Sequence, residues 1–485
     1  MQLTNSLTRK KEKFKPLKEE KVKVYYCWPT PYNYTHIGNL RTYLFSDMAV
    51  KALKFMWYKI ETTMNLTDID DKTIRDSIKN GENLRDFTQR YIDFFFDDLA
   101  KLNIAKADNI SRISDLIDVM VEIINWLLSK WYAYMAEDGS VYYSISKFKS
   151  YWELAHLDFW GMKTSVRIDN DEYDKDEAAD FVLWKAYDEV KDWPNKWEAK
   201  LKVNWEEKII WGRPGWHIEC SACNLKFFWA QIDLHIWAID LLFPHHQNEV
   251  AQTEAFTGKQ FSKYWMHAWH LLVDNKKMSK SKGNFYTLRD VEEKMNWILT
   301  LDEIYRGFRM MNLQARYDDS FNFTFDKLKQ AATTLKTFDE VFKRIKNYAP
   351  VEWKVKKEVS ENIQAFIQEY ISKLEDDFNT PEALATVFEF IKYVNTFIDA
   401  EAFNDKEIKA VIDVFKTFNE VLSIMDFTIL EKEENIPENI IKLVEQRVQA
   451  KLAHDFTLAD SIRSEVEKRW YKIVDDKNWS RAEAI

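Results

Sequence analysis

Apolar and polar positions alternate over residues 22–27, "VKVYYC", a β-branched and aromatic run that predicts a buried strand. The turn "PTPYNYTHIGN" (29–39) follows, and then "LRTYLFSDMAVKALKFM" (40–56) changes to helical spacing. A second strand is expected at "YKIETTMNLTD" (58–68). Strand, turn, helix, strand is how a parallel α/β sheet begins. Residues 84–130 read as helical, whereas 139 to about 210 break into short strands and charged loops, as an insertion would. Strand patterns return at "IDLHIWAIDLLF" (232–243) and "YWMHAWHLLVD" (264–274). From about 320 to 430 the spacing is almost wholly that of amphipathic helices, and the last fifty residues form a further small unit. The expected fold is therefore α/β, a Rossmann-like parallel sheet with an insertion, followed by an all-α helical bundle. The expected boundaries are 1–115 and 206–270 for the two halves of the sheet domain and 116–205 for the insertion. A linking region at 271–320, a bundle at 321–430 and a terminal unit at 431–485 complete the division.

At 485 residues the chain has room for two to four domains. No stretch approaches the roughly 20 apolar residues of a membrane span. The first residues, "MQLTNSLTRKKEKFKPLKEEK", lack the apolar core of a secretory signal. Three cysteines, Cys27, Cys220 and Cys223, cannot build a disulfide framework, so a cytoplasmic protein is expected. A net charge of −10 excludes a generally cationic surface but leaves room for local basic patches. Glycine departs furthest from the ordinary: 9 residues, against roughly 34 expected for this length, alongside 20 tryptophans.

Six of the nine histidines lie between 217 and 270: His217, His235, His245, His246, His267 and His270. In "FPHHQNE", His245 and Glu249 stand four apart, on one face if helical. Cys220 could add a thiolate and Cys27 another, a Cys₂HisGlu set suited to zinc. Cys220 and Cys223 also form a C-x-x-C pair, which leaves a redox role or a different zinc site open. A second constellation joins "HIGN" (36–39) to "KMSKS" (277–281). The first would present a glycine and a helix N-terminus to a nucleotide. The second offers Lys277 and Lys280 as cations for a phosphate in a transition state.

With these motifs in view the sequence resembles the cysteinyl-tRNA synthetase family of class I aminoacyl-tRNA synthetases along essentially its whole length. The resemblance is carried by "CWPTPYNYTHIGN" (27–39), "NLTDIDDK" (65–72), "DFVLWKA" (180–186) and "GRPGWHIECSA" (212–222). It continues through "IDLLFPHHQNEVAQTEA" (239–255), "KMSKSKGNF" (277–285) and "DDFNTPEAL" (376–384). It implies activation of L-cysteine by ATP with Mg²⁺ to cysteinyl adenylate, pyrophosphate release, and transfer to tRNA(Cys) by a monomer. It implies that Cys27, Cys220, His245 and Glu249 hold one Zn²⁺ that binds the substrate thiolate. On the same ground Thr67 and Trp216 line the amino-acid pocket, and His36, Gly38 and Asn39 contact ATP. Asp240 reaches the adenosine ribose, Lys277 belongs to the mobile signature loop and Lys280 steadies the transferring phosphate. Residues 271–320 become the signature loop and stem-contact region, 321–430 a DALR-like bundle and 431–485 an anticodon-binding unit. In that unit Arg447, Lys451, Arg463, Lys468 and Arg469 are candidate tRNA contacts. The insertion is too small for an editing domain.

Asn39 ends the signature where the family has histidine, and Cys223 stands at an expected apolar position, as a buried thiol. Two other readings remain in play: a cysteine ligase acting on an amino-sugar acceptor, which lacks a full anticodon region, and a non-catalytic paralogue, which has no physical need for an intact site. Tryptophan repeatedly occupies family glycine positions: Trp28, Trp57, Trp131, Trp152, Trp229, Trp237, Trp269, Trp470 and Trp479. Trp184, Trp216 and Trp265 stand where the family itself has tryptophan. Glycine is wanted at turns for positive φ or for lack of a side chain. The pattern is that of a gene whose UGA codons mean glycine and are written here as tryptophan. Trp28 and Trp237 flank the expected site, so the chain as written is expected to be poorly active.

Overall fold

The computed structural model describes residues 1–19, 21–27, 30–156, 180–279, 282–352, 356–431, 437–475 and 480–484. Trp28, Lys280 and Trp479 lie outside them. The chain divides into two compact units, the first comprising Met1–Leu335, Gln368–Ala385 and Thr417–Ile424 and the second the remainder from Lys336 onward.

The alternating run at the N-terminus becomes the strand Lys21–Tyr26, with Val22, Val24, Tyr25 and Tyr26 buried. It is the middle of a five-stranded sheet in the spatial order Ser262–Ala268, Ile232–Ala238, Lys21–Tyr26, Lys59–Leu66, Asn109–Arg112. Every neighbouring pair is parallel. Such sheets are covered on both faces, which is why their strands read as continuous apolar runs rather than strict alternations. The helix Ile37–Phe55 after the first strand is accordingly buried over most of its length. Strand order reverses between Lys21–Tyr26 and Ile232–Ala238, and a ligand cleft is expected at the carboxyl ends of those two strands.

The insertion folds as a separate five-stranded antiparallel sheet in the order Ala133–Met135, Val141–Tyr143, Phe181–Ala186, Glu206–Pro214, Trp197–Val203. At its exit Gly215 opens the helix Trp216–Phe228. A Cβ there would stand 2.1 Å from the Val182 carbonyl oxygen, so only glycine lets helix and strand approach this closely.

Helix ends obey the usual capping chemistry. Asp70 and Thr73 form a capping box on Asp71–Asn80, and Gly81 ends that helix at φ 66°. The second unit is helical, with Lys336–Lys346 packed through Phe342 on Phe415, and Phe390 on Phe366 and Phe415. Its C-terminal part has a small core of Ile440, Val444, Ile462, Val466, Ile473 and Ala482, from two helices and a β-hairpin.

Five tryptophans adopt the left-handed backbone: Trp57 (φ 69°), Trp131 (62°), Trp205 (71°), Trp229 (64°) and Trp470 (67°). Four of them were expected from the sequence to stand in for glycine; Trp205 was not. Trp152, Trp237 and Trp269 have ordinary φ among the described residues.

Candidate metal centre and nucleotide cleft

Cys27 follows the first strand directly and therefore stands at the carboxyl edge of the sheet, at its switch point. Cys220 lies on the helix Trp216–Phe228, and His245 and Glu249 sit one turn apart at the start of the helix Gln247–Thr257. All four are buried. Cys27 Sγ is 3.8 Å from Cys220 Sγ, 3.9 Å from His245 Nε2 and 3.8 Å from Glu249 Oε1. Cys220 Sγ lies 3.3 Å from His245 Nε2, which is 3.1 Å from Glu249 Oε1. The four donor atoms thus converge within 4.8 Å of one another, as ligands around one ion would. Cys223, on the same helix, is fully buried outside this cluster, which leaves the C-x-x-C pair unused.

The electrostatics fit a cation. Burial pushes the Glu249 carboxyl up, but His235 and His245 outweigh it and hold its pKa near about 2. Burial acts against the imidazolium of His245, yet Cys220 and Glu249 raise it to about 10. Cys220 is lowered to about 7 despite burial, by the hydrogen bond from Cys27 and by His245. Burial and then Cys220 push the Cys27 thiol up. Thiol, carboxylate and imidazole groups thus share one enclosed corner, where a divalent ion could take the place of the protons they hold.

A layer of histidines stands behind the donors. His217 Nδ1 lies 2.8 Å from His245 Nδ1, and His235 Nε2 lies 3.0 Å from Glu249 Oε2. His246 meets His267 at 2.9 Å, and His267 meets Ser6 Oγ at 2.7 Å. Burial lowers the pKa of His217, His246 and His267, and of this layer it is His217 and His235 that hydrogen-bond to donors and so orient them. His235 and His246 also form a second donor set with Cys27 and Glu249, overlapping the first. Histidine clustering in the sequence pointed to this region. The sequence could not say which histidines approach which donors: His245 stands with Cys220, and His235 and His246 stand on the other side of Cys27 and Glu249.

Next to this centre is a cavity of about 270 Å³ lined by His36, Asn39, Trp216, Trp237, Asp240 and Phe285 among others. His36 caps the helix Ile37–Phe55, its Nδ1 accepting from the Asn39 backbone N–H at 3.2 Å. The cavity therefore opens on a helix N-terminus, where anionic groups are favoured. The two signature segments meet here: the Ile37 N–H donates to the Tyr286 carbonyl at 2.9 Å. A Cβ on Gly38 would stand 3.0 Å from His36 Nδ1 and 3.1 Å from Met278 Cε, so the "KMSKS" segment packs closely over this glycine. Lys277 ends a short strand and is exposed. Trp216 connects the two sites, lining the cavity while its indole lies 4.2 Å from the His245 ring. Thr67 is buried, and its hydroxyl accepts from Asn65 Nδ2 at 3.0 Å.

Of the C-terminal cations, Arg447, Lys451 and Arg463 converge on Asp475 at 2.6, 3.2 and 3.0 Å, and Arg469 pairs with Glu465. Arg447 has only 3% of its side chain exposed and anchors the hairpin to its helix. No helix among the described residues is long and apolar enough to cross a membrane.

Comparison with known proteins adds a family-level result. Residues 13–333 match the family model "tRNA synthetases class I (C) catalytic domain", and residues 369–426 match the DALR domain. A cysteine--tRNA ligase of Protochlamydia amoebophila is 39% identical over 99% of this chain and 97% of its own. One of Chlamydia trachomatis is 38% identical over 100% and 99%. Among solved structures, Mycobacterium tuberculosis methionyl-tRNA synthetase with methionyl-adenylate superposes with a TM-score of 0.56 at 12% identity, over 84% of this chain and 90% of its own. A ternary complex of Agrobacterium radiobacter LeuRS gives 0.60 at 10% identity, over 87% and 86%. At such identities the structural likeness speaks for the fold.

Proposed function

The chain belongs to the cysteine--tRNA ligase family of class I aminoacyl-tRNA synthetases, and on that premise we propose how its own residues carry the reaction. It is an enzyme that activates cysteine with ATP and esterifies it to its tRNA. In the first step a carboxylate oxygen of cysteine attacks the α-phosphorus and pyrophosphate leaves. In the second a hydroxyl of the tRNA 3′ end attacks the adenylate carbonyl and AMP leaves.

His36 and Asn39 receive the phosphates at the N-terminus of Ile37–Phe55, and the backbone at Gly38 allows close approach. Asp240, facing the same cavity, accepts from the ribose hydroxyls. Lys277 and Lys280 supply positive charge to the triphosphate as it comes apart, assisted by Mg²⁺ carried in with the nucleotide. Thr67 and Trp216 bound the amino-acid pocket.

The residues of the buried centre fit zinc: two sulfurs, one imidazole and one carboxylate are the donor types it takes. Cys27, Cys220, His245 and Glu249 would hold it, and it would supply a soft cation that prefers the substrate thiolate to the hydroxyl of serine. A purely apolar pocket separates such near-isosteres poorly. To act as ligands, Cys27 must lose its thiol proton and His245 its imidazolium proton. The observation that carries this reading is the convergence of those four donors beside the helix-capped cavity. Three free, buried cysteines fit a cytoplasmic location, and we take the working form to be a monomer. The helical second unit, with its C-terminal subdomain, would grip the tRNA. Binding there should weaken steeply with salt.

The test is cysteine-dependent ATP–pyrophosphate exchange by zinc-loaded protein, with serine as the competitor. Exchange with cysteine, lost on chelation and absent with serine, is expected. A folded, zinc-loaded chain that exchanges nothing would overturn the assignment of these residues.

A further inference from the structure

Among the described residues tryptophan is the commonest type other than glycine at positive φ, with five positions against three for asparagine. That order is inverted, since asparagine tolerates this backbone and a bulky side chain does not. Aromatic character does not explain it. The chain's 22 tyrosines contribute no such position among the described residues, and its 32 phenylalanines contribute only Phe378. The angles themselves separate into two groups. Residues other than tryptophan and glycine lie between φ 50° and 60°, whereas Trp57, Trp131, Trp205, Trp229 and Trp470 lie between 62° and 71°. Gly81, Gly258 and Gly283, at 66° to 67°, fall inside the tryptophan range.

Hydrogen bonding shows what each position does. After the helix Ile37–Phe55 the Trp57 N–H donates to the Lys54 carbonyl and the Tyr58 N–H to that of Leu53, the double closure of a Schellman motif. Trp131 and Tyr132 repeat it on Leu128 and Leu127 after the helix Ile117–Ser129. The same molecule closes Asp71–Asn80 in this way with glycine: the Gly81 N–H donates to Ile78 and the Glu82 N–H to Ser77. Trp470, one residue beyond the cap of Phe456–Lys468, donates to the Glu467 carbonyl. Trp229 caps Trp216–Phe228 at φ 64° and ψ −135°, the mirror image of extended backbone, which glycine alone enters freely. Asn204–Trp205, at φ 51° and 71°, forms the two-residue turn between Trp197–Val203 and Glu206–Pro214, where Asn-Gly is the favoured pair.

The side chains offer no competing reason for these residues. All five indoles are 65% or more exposed and so gain little from packing. Trp297 is 90% exposed at ordinary φ, so exposure by itself does not bring the left-handed backbone with it. An indole displayed to a partner would need the exposure but not the conformation. Glycine accounts for both, having no side chain to bury and no Cβ to strain.

We infer that positions 57, 131, 205, 229 and 470 hold glycine in the protein made by its own cell, which reads their codons as glycine. Backbone geometry alone selects the five, whatever the chain catalyses. Trp205 joins the four that the sequence marked, and Trp237 and Trp269, at ordinary φ, are not among them.

The test is peptide mass spectrometry of the full chain purified from its own cell. It should read glycine at the five positions and tryptophan at the buried Trp184 and Trp265. The gene should correspondingly carry UGA at the five codons and UGG at the two buried ones. Tryptophan at the five positions in native peptides, or UGG at their codons, would overturn the inference. Glycine at Trp184 and Trp265 as well would also overturn it, because backbone conformation would then not be what separates the two groups.

Discussion

A left-handed conformation costs a residue with a Cβ roughly 1–2 kcal/mol, and a bulky side chain adds to that. Exposed Trp57 and Trp205, each 94% accessible, have no burial to offset it. Replacing Trp57, Trp131, Trp205, Trp229 and Trp470 singly with glycine should raise stability by about 1 kcal/mol each, readable as a higher Tm. Trp184→Gly, which empties a fully buried site, should lower it by about 3–5 kcal/mol. Trp237 is a different case. It is 5% exposed, packs edge-on against Tyr43 at 4.9 Å and walls the nucleotide cavity. Trp237→Gly should enlarge that cavity and raise cysteine-dependent exchange, chiefly through a lower KM for ATP. Sequence reading found four of the five left-handed tryptophans because they lie where the resembled family keeps glycine. Trp205 was not matched to a family glycine, and only its φ reveals it.

At the scale of elements, the joints between helices and strands carry titratable groups whose environment is set by packing. Glu254, near the end of Gln247–Thr257, accepts from the Phe261 N–H at 2.9 Å and so ties that helix to the following strand. Burial raises its pKa from the ordinary 4.5 to about 7. In this window the folded chain keeps a proton that the unfolded chain releases, so stability falls as pH rises from about 4.5 through 7. Glu254→Gln should flatten the slope of unfolding free energy between pH 5 and 7, measured by urea titration at several pH values. Helices were legible from apolar spacing and strands from β-branched runs, yet the insertion was visible only as a break in pattern. Its antiparallel order, with Phe181–Ala186 between Val141–Tyr143 and Glu206–Pro214, depends on pairings that local sequence does not encode.

Within the first unit, segments far apart in the chain are joined by buried ion pairs. Arg309, 2% exposed, pairs with Asp47 at 2.6 Å and donates to the Leu422 and Leu102 carbonyls. Asp47→Asn leaves that guanidinium without its counter-charge in the interior and should cost about 3–5 kcal/mol, measured by chemical denaturation. Zinc affinity should fall on acidification, because Cys27 and His245 each give up a proton to bind it. Competition with a chromogenic chelator between pH 8 and 6 would measure this, and a pH-independent affinity would exclude both as ligands.

Order along the chain determined the class of fold, because periodicity and capping are local properties, and it offered two thiols, an imidazole and a carboxylate, donor types that suit zinc. Cys27, Cys220, His245 and Glu249 could be named as a set before any distance was known. That these four donors converge, and that His217 and His235 stand against two of them, was decided only when the parallel sheet brought its strand ends together. Hydrogen bonding acts over about 3 Å, and contacts between residues some 200 positions apart are set by the packing of whole elements.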